Sequence, residues 1–426
     1  MGFIKNYASL NIDPKRKIVL DLIESALSSI QPKEILREKF SLSDNILSIQ
    51  NNTYDLHQYK RIQLIGFGKG SAEISRIIED ILGDKLSQGF VIDVVDEKPF
   101  KKIHYTKGTH PLPSQENIDF TTLVLNATEN LLETDLVLIV ICGGGSVLFE
   151  KPHTVNLEKL TDIVRALLRS GATISEMNII RKHLSSVKGG QFAKHLFPST
   201  VASLIFSDVP GNDLSVIASA PTVKDQTTLK EVKQILSKFN ISNSTQIDDS
   251  YFAQTVNDDK YFEKVNNILM VSNDTALKAM QNKATEMGLS SSIYSDKFEG
   301  DAKTAGKTLI DATKKGELLL AGGETTVHVK GSGQGGRNQT LVLATLPYLD
   351  NNTIIASFDS DGWDFTTLAG ALGDQHVIQS AQEQSIEPKA YLENDDSLHF
   401  FQKASGGIDT GRLESNVSDL FIVYKQ

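Results

Sequence analysis

Apolar runs that end in glycine turns and lead straight into helical spacing recur through this chain, and that alternation leaves few folds open. RIQLIGFGKGSAEISRIIEDIL (61–82) reads as strand, glycine-rich turn and helix. DLVLIVICGGGS (135–146) reads as a buried strand running into a second such turn. GFVIDVVD and VASLIFSDVPGND supply further apolar strands, while IVLDLIESALSSI, TTLVLNATENLL and LTDIVRALLRSG carry apolar residues at helical spacing. Strands alternating with helices indicate an α/β fold with a mostly parallel sheet covered on both faces. A second α/β series runs from NNILMVSNDTALKAM to the terminal strand DLFIVYK. At 426 residues the chain exceeds what one core usually supports, so two domains are expected. The polar segment 225–262, rich in Asn, Ser and Asp, reads as a lid or connection, and a peripheral helix pair would look the same.

Composition narrows the partners. A formal charge of −10 argues against nucleic acid or anionic membranes as main partners and leaves small molecules. The single cysteine, Cys142, excludes an intrachain disulfide and suits a reducing compartment. No apolar run reaches membrane-spanning length, and the first residues lack a signal-peptide core, so a cytoplasmic protein is expected.

In doubly wound sheets ligands sit beyond the carboxyl ends of strands, and several of the suggestive motifs fall there. Gly66, Gly68 and Lys69 lie in GFGKGS, which completes neither a phosphate-binding P-loop nor a dinucleotide fingerprint. A lysine in a glycine turn at a helix N-terminus suits an anion, and a solvated lysine reads equally well. Gly143, Gly144, Gly145 and Ser146 leave amides open to a ligand, and Cys142 reads as an inert buried thiol. The basic run 178–190 offers Arg181 and Lys188 as anion ligands or as a solvated helix face. SDVPGND (207–213) and DSDGWD (359–364) end strands with carboxylates, which suit Mg²⁺ beside phosphate oxygens or simple Asp turns. GGETTVHVKGSGQGGRNQTL (322–341) sets Arg337 and Asn338 behind six glycines, as an anion cradle or a flexible hairpin. Such an inventory fits phosphoryl transfer, where catalysis is mainly positioning and charge stabilisation.

GFGKGSAEI, GTHPLPSQEN, ICGGGSVLFEKP, IFSDVPGNDLSVIASAPTVKD, AGGETTVHVKGSGQGGRNQTLVLA and DSDGWDFTTLAGAL, in this order, resemble the glycerate 2-kinase family from about residue 15 onward. The resemblance implies a larger Rossmann-like, three-layer, parallel-sheet N-terminal domain (1–240) and a smaller α/β MOFRL domain (260–426). Residues 241–259 would connect them or form a lid, with the active site in the interdomain cleft. It implies ATP- and Mg²⁺-dependent phosphorylation of D-glycerate, usually to 2-phosphoglycerate. Alternatives are a kinase of another small hydroxy or sugar acid, or an NAD(P)-dependent hydroxypyruvate reductase, a name also attached to this family. A homodimer is compatible with it.

Position by position, the resemblance makes Lys69 and Arg337 phosphate-facing cations and gives Asp208 and Asp361 to catalysis and metal. Asn212 and Asn273 fall on the binding loops, and Glu324, Gly335, Gly336 and Asn338 in and around the glycine-rich run. Three loops depart from the family pattern. DGxDGPTDAAGA appears as DGWDFTTLAGA, SGPTVPD as SAPTVKD with Ala220 for Gly, and TGPTGTNVNDL as TGRLESNVSDL. Asn212 also replaces a usual Asp.

Overall fold

The computed structural model describes residues 2–241 and 247–426. The first long helix is α1 (Pro14–Ser29), capped by Asp13, whose carboxylate accepts from the amides of Lys15 and Arg16. A three-stranded antiparallel meander follows, β1 (Phe40–Ser43), β2 (Ile46–Ile49) and β3 (Asn52–Asp55). Then come β4 (Arg61–Phe67), α2 (Ser71–Leu82), β5 (Gln88–Asp93), β6 (Ile103–Lys107), α3 (Gln115–Ala127) and β7 (Asp135–Ile141). They are followed by α4 (Leu157–Ser170), α5 (Ile174–Leu184), β8 (Thr200–Phe206), α6 (Leu229–Lys238) and β9 (Val265–Val271). The second series is α7 (Asn273–Glu286), β10 (Ser290–Asp301), α8 (Ala302–Ala312), β11 (Glu317–Thr326), α9 (Arg337–Thr345) and β12 (Thr353–Asp359). It ends with β13 (Gly370–Gly373), α10 (Gln375–Glu383), α11 (Ser397–Ala404), β14 (Gly407–Ile408) and β15 (Asp419–Lys425).

Two compact units form. One comprises Met1–Ile35, Asp208–Gly211 and Val271–Gln426, and the other Leu36–Ser207 and Asn212–Met270. In the latter, which we call the parallel unit, six strands run in the order β6-β5-β4-β7-β8-β9. Every pairing recorded from β6 through β8 is parallel. By rank this is the 3-2-1-4-5-6 order of doubly wound folds, whose switch point lies between β4 and β7. All seven residues of β7 are buried, as a strand covered on both faces requires. On the periphery, α4, α5 and α6 share one apolar cluster that also takes in Ile241 and Phe252. Within the polar segment 225–262, Leu229–Lys238 is thus a helix packed on this apolar cluster.

The other, mixed unit has the order β10-β11-β15-β12-β13-β14, with only β10 and β11 parallel. Its antiparallel majority comes from the terminal strand β15, inserted between β11 and β12. Helix α1 belongs to this unit and packs on α7. Val19, Leu20, Leu22, Ile23 and Leu27 are wholly buried. At roughly 1.5–3 kcal/mol for each large aliphatic, that burial makes α1 integral to the unit. Arg16 adds a buried two-point pair with Asp374, at 2.7 and 2.8 Å.

Candidate functional site

In the parallel unit, the two glycine loops at the switch point are zipped together. Cys142 donates its amide to the Phe67 carbonyl at 3.0 Å, and Lys69 donates to that of Gly143 at 2.8 Å. Gly68, at φ +113, passes so close to the Cys142 carbonyl that a Cβ would overlap it. The start of α2 is not open to a ligand. Asp93, at the end of β5, accepts from the amides of Gly70 (2.9 Å), Ala72 (3.1 Å) and Val94 (2.6 Å). Burial pushes its carboxyl pKa up, against the three amides that favour the anion. Asp93 stands where a dinucleotide-binding fold carries its ribose acid, about 20 residues past the glycines, yet it fills the seat a pyrophosphate would need.

Cationic chemistry survives over the second loop. The Lys69 side chain is exposed and makes no ion pair among the described residues. Its Cε lies 3.6 Å from the point a Cβ on Gly144 would occupy, and the His110 ring lies 3.0 Å from the same point. Burial, then Lys69 and Arg181, push the His110 pKa down to about 4, so the ring is neutral at physiological pH. Arg181, on the last turn of α5, is largely desolvated, which presses its pKa down. Glu150 is the one charge that offsets this. The Arg181 guanidinium has no hydrogen-bond partner among the described residues, and the amides of Gly143 and Gly144 have none either. Ser146 Oγ lies 2.9 Å from Ser219 Oγ, which donates to Asn178 at 3.1 Å. That ties Gly145 and Ser146 to the SAPTVKD loop.

Other members of the basic run are spent internally. Lys188 is wholly buried and paired with Glu150, its pKa lowered by burial, so the structure does not offer it to a ligand as the sequence suggested. Lys182 pairs with buried Asp225 at 2.8 Å. His183 hydrogen-bonds the Ala253 carbonyl and the Thr227 hydroxyl. His110 was not among the sequence candidates; the signal was its place in THPLP, directly after β6.

In the mixed unit, the glycine-rich run behaves differently from the open cradle expected of it. Its amides do bind anions, but these are the chain's own. Lys330 and Gly331 donate to Asp395 (2.6 and 2.8 Å), and Gln334 donates to Asp396 (3.0 Å). Gly335 is packed on Ser397 and Gly336 on Asp364, so closely that a Cβ at either would overlap them. At the N-terminus of α9, Asp364 accepts from the amides of Asn338 (3.1 Å) and Gln339 (2.9 Å) and is itself wholly buried, which raises its pKa.

Arg337 is likewise caged rather than facing out. It makes a two-point pair with Asp419 (2.6 and 3.1 Å), reaches Asp359 at 3.3 Å, and pairs with Glu324. Burial opposes its charge, but Asp419, Glu324 and Asp359 outweigh that and raise its pKa. Burial pushes Asp419 up to about 7 despite Arg337. Asp359 rises well above the usual range through burial and its neighbours Asp419 and Asp361. Asn338 donates to Asp419 at 2.8 Å and accepts from Ser357. Asn273 lies against Gly322 and donates to the Asp296 carbonyl, while its buried Oδ1 has no partner among the described residues; neither does Asn212 Oδ1 in the parallel unit.

The mixed unit does bring Asp208 and Asp361 into one network. Ser418 donates to the Asp208 carbonyl at 2.5 Å and takes the Asn416 side chain on its amide, and Asn416 reaches Asp361 Oδ2 at 3.5 Å. Asp361 Oδ1 accepts from the Trp363 amide. Among the described residues no group of three or more His, Cys, Asp or Glu side chains is arranged to hold a metal. No helix there is long and apolar enough to cross a membrane.

A model described as a domain of unknown function (DUF4147) matches residues 18–250, and the MOFRL family model matches 317–419. A D-glycerate 2-kinase of Thermotoga maritima is 32% identical over 96% of this chain and 99% of its own length. The chain belongs to the glycerate 2-kinase family. A putative hydroxypyruvate reductase of Agrobacterium vitis is also 32% identical, over 95% of this chain and 93% of its own. The crystal structure of glycerate kinase from Thermotoga maritima superposes with a TM-score of 0.86 at 31% identity, covering 96% and 99% of the two chains. As a member of the glycerate 2-kinase family this protein is a phosphotransferase with an alcohol group as acceptor.

Proposed function

We propose that this enzyme transfers the γ-phosphoryl group of ATP to a hydroxyl of D-glycerate, giving 2-phosphoglycerate, with Mg²⁺. The near full-length likeness to a D-glycerate 2-kinase carries the reading. The unpaired Lys69, Arg181 and amides of Gly143 and Gly144 support it. These groups neutralise and orient the phosphoryl oxygens, where charge stabilisation is most of the catalysis. Neutral His110 hydrogen-bonds there without adding charge. One carboxylate, Asp208 or Asp361, orients the acceptor hydroxyl and takes its proton. Arg337 works through its cage, holding Asp419, Asp359 and Glu324 in register beside that pair.

Mg²⁺, when bound, supplies positive charge shared with phosphate oxygens. Asp208 and Asp361 would hold it, since one or two carboxylates suffice beside phosphate and water and, among the described residues, Asp361 Oδ2 receives only the long bond from Asn416. The reductase reading has the strand order in its favour, but Asp93 occupies the pyrophosphate seat.

Purified enzyme with ATP, Mg²⁺ and D-glycerate should release ADP in step with glycerate consumed, and phosphorus NMR should identify 2-phosphoglycerate. No acid-dependent ADP release across a panel of small hydroxy and sugar acids would sink the kinase reading. NADH oxidation with hydroxypyruvate would put the reductase in its place. Lys69→Ala should lower kcat by about 100-fold or more with an unchanged urea midpoint, because the side chain is exposed and unpaired.

A further inference from the structure

Around the start of α9 and the Asp361 turn, Asp359, Asp361, Asp364, Asp419 and Glu324 surround a single guanidinium, that of Arg337. Three of the five pair with it directly. An anionic acceptor brought to Asp361 therefore meets net negative charge, unless further cations stand nearby.

Two do, and neither belongs to the family pattern. Arg412 stands where the family motif has proline, and Lys5 precedes the matched segments 18–250 and 317–419. The Arg412 guanidinium lies over the Trp363 ring, 4.1 Å from its centroid. It is exposed and makes no hydrogen bond or ion pair among the described residues. Leu413, the next residue, donates its amide to the Asp361 carbonyl at 2.7 Å, which fixes this loop to the turn. Gly362 abuts the Gly411 carbonyl, closing the two backbones together.

Lys5 Nζ lies against Gly411, 2.1 Å from the point a Cβ there would occupy, and is also without an ion pair among the described residues. Its segment is stapled to the same loop. Lys5 donates its amide to the Asp409 carbonyl at 2.7 Å, Asn6 Nδ2 donates to the Gly407 carbonyl at 2.8 Å, and the Asp409 amide donates to Asn6 Oδ1 at 3.0 Å.

We propose that Arg412, held over the Trp363 ring, and Lys5 receive the carboxylate of a small hydroxy acid beside Asp361 and set the specificity of the acceptor. The inference rests on reading the Asp361 turn as the acceptor side. Stacking on an aromatic face leaves the guanidinium edge free, and that edge matches a carboxylate at two points. The same stacking removes rotamer freedom before the ligand arrives. Lys5 adds a second, less directional charge.

Trp363 is the sole tryptophan of the chain, so its fluorescence reports on this subsite independently of turnover. D-glycerate should change the emission saturably, while glycerol, which lacks the carboxylate, should not. Arg412→Ala should weaken glycerate binding and raise its KM about tenfold or more with the KM for ATP unchanged. Arg412→Lys should fall between, and Lys5→Ala should show a smaller effect in the same direction. Both side chains are exposed, so urea midpoints should match wild type. Equal responses to glycerate and glycerol, or an unchanged KM for glycerate in Arg412→Ala, would overturn the subsite even with the kinase active. Saturable glycerate binding lost in Arg412→Ala, without ADP release by the wild type, would uphold the subsite and remove the kinase reading instead.

Discussion

Ala220 occupies the left-handed region at φ +59, between Ser219 at the same φ and Pro221, and is wholly buried. The family motif has glycine there, and a left-handed Ala costs about 1–2 kcal/mol. Ala220→Gly should therefore raise unfolding stability by up to about 1 kcal/mol, since glycine's larger unfolded-state entropy cancels part of the relief. Urea titration measures this directly. His110 offers a test with a defined sign. Its folded pKa is pushed down to about 4 from 6.5. Its contribution is therefore present above about 6.5 and lost as pH falls through about 4. Removing the titrating ring in His110→Asn should make the rise in stability between pH 4 and 6.5 shallower than in wild type. An identical slope would mean that the ring is solvated. The sequence does not single out His110, because nothing next to it in the chain is cationic; Lys69 and Arg181 meet it only in the fold.

At the scale of elements, both helix starts expected to face a ligand are capped by the protein's own acids, Asp93 at α2 and Asp364 at α9. Strand, turn and helix were legible from apolar spacing and glycine. The identity of the anion was not, because Asp93 and Asp364 lie some 20 residues or more from the amides they bind. The same holds for Arg337, which reads as a free cation in GGRNQ and is caged by residues from three strands. Arg337→Ala leaves buried Asp419 and Asp359 without their counter-charge. We expect it to destabilise the mixed unit by about 3–5 kcal/mol, so lost activity in this variant would accompany lost folding. Circular dichroism during urea unfolding separates that outcome from an intact, inactive protein.

For the whole molecule, the linear order of elements does not map onto the units. Helix α1 packs with the second half of the chain, and the SDVPGND loop divides, Asp208 going with the mixed unit and Asn212 with the parallel one. The buried Arg16–Asp374 pair joins positions at opposite ends of the sequence. Arg16→Ala should cost about 3–5 kcal/mol, read as an earlier urea transition of the mixed unit, although α1 looks peripheral in sequence.

Local chemistry settled what the sequence could settle alone: apolar runs and glycine turns specify strands, helices and loops, and the ordered motifs specify the family. Which cations remain available was decided only by tertiary structure. Lys188, Lys182 and Arg337 are neutralised by acids distant in sequence, while Lys69, Arg181, Arg412 and Lys5 are not. Charge pairing depends on distance in space and on burial, and neither can be read from spacing along the chain.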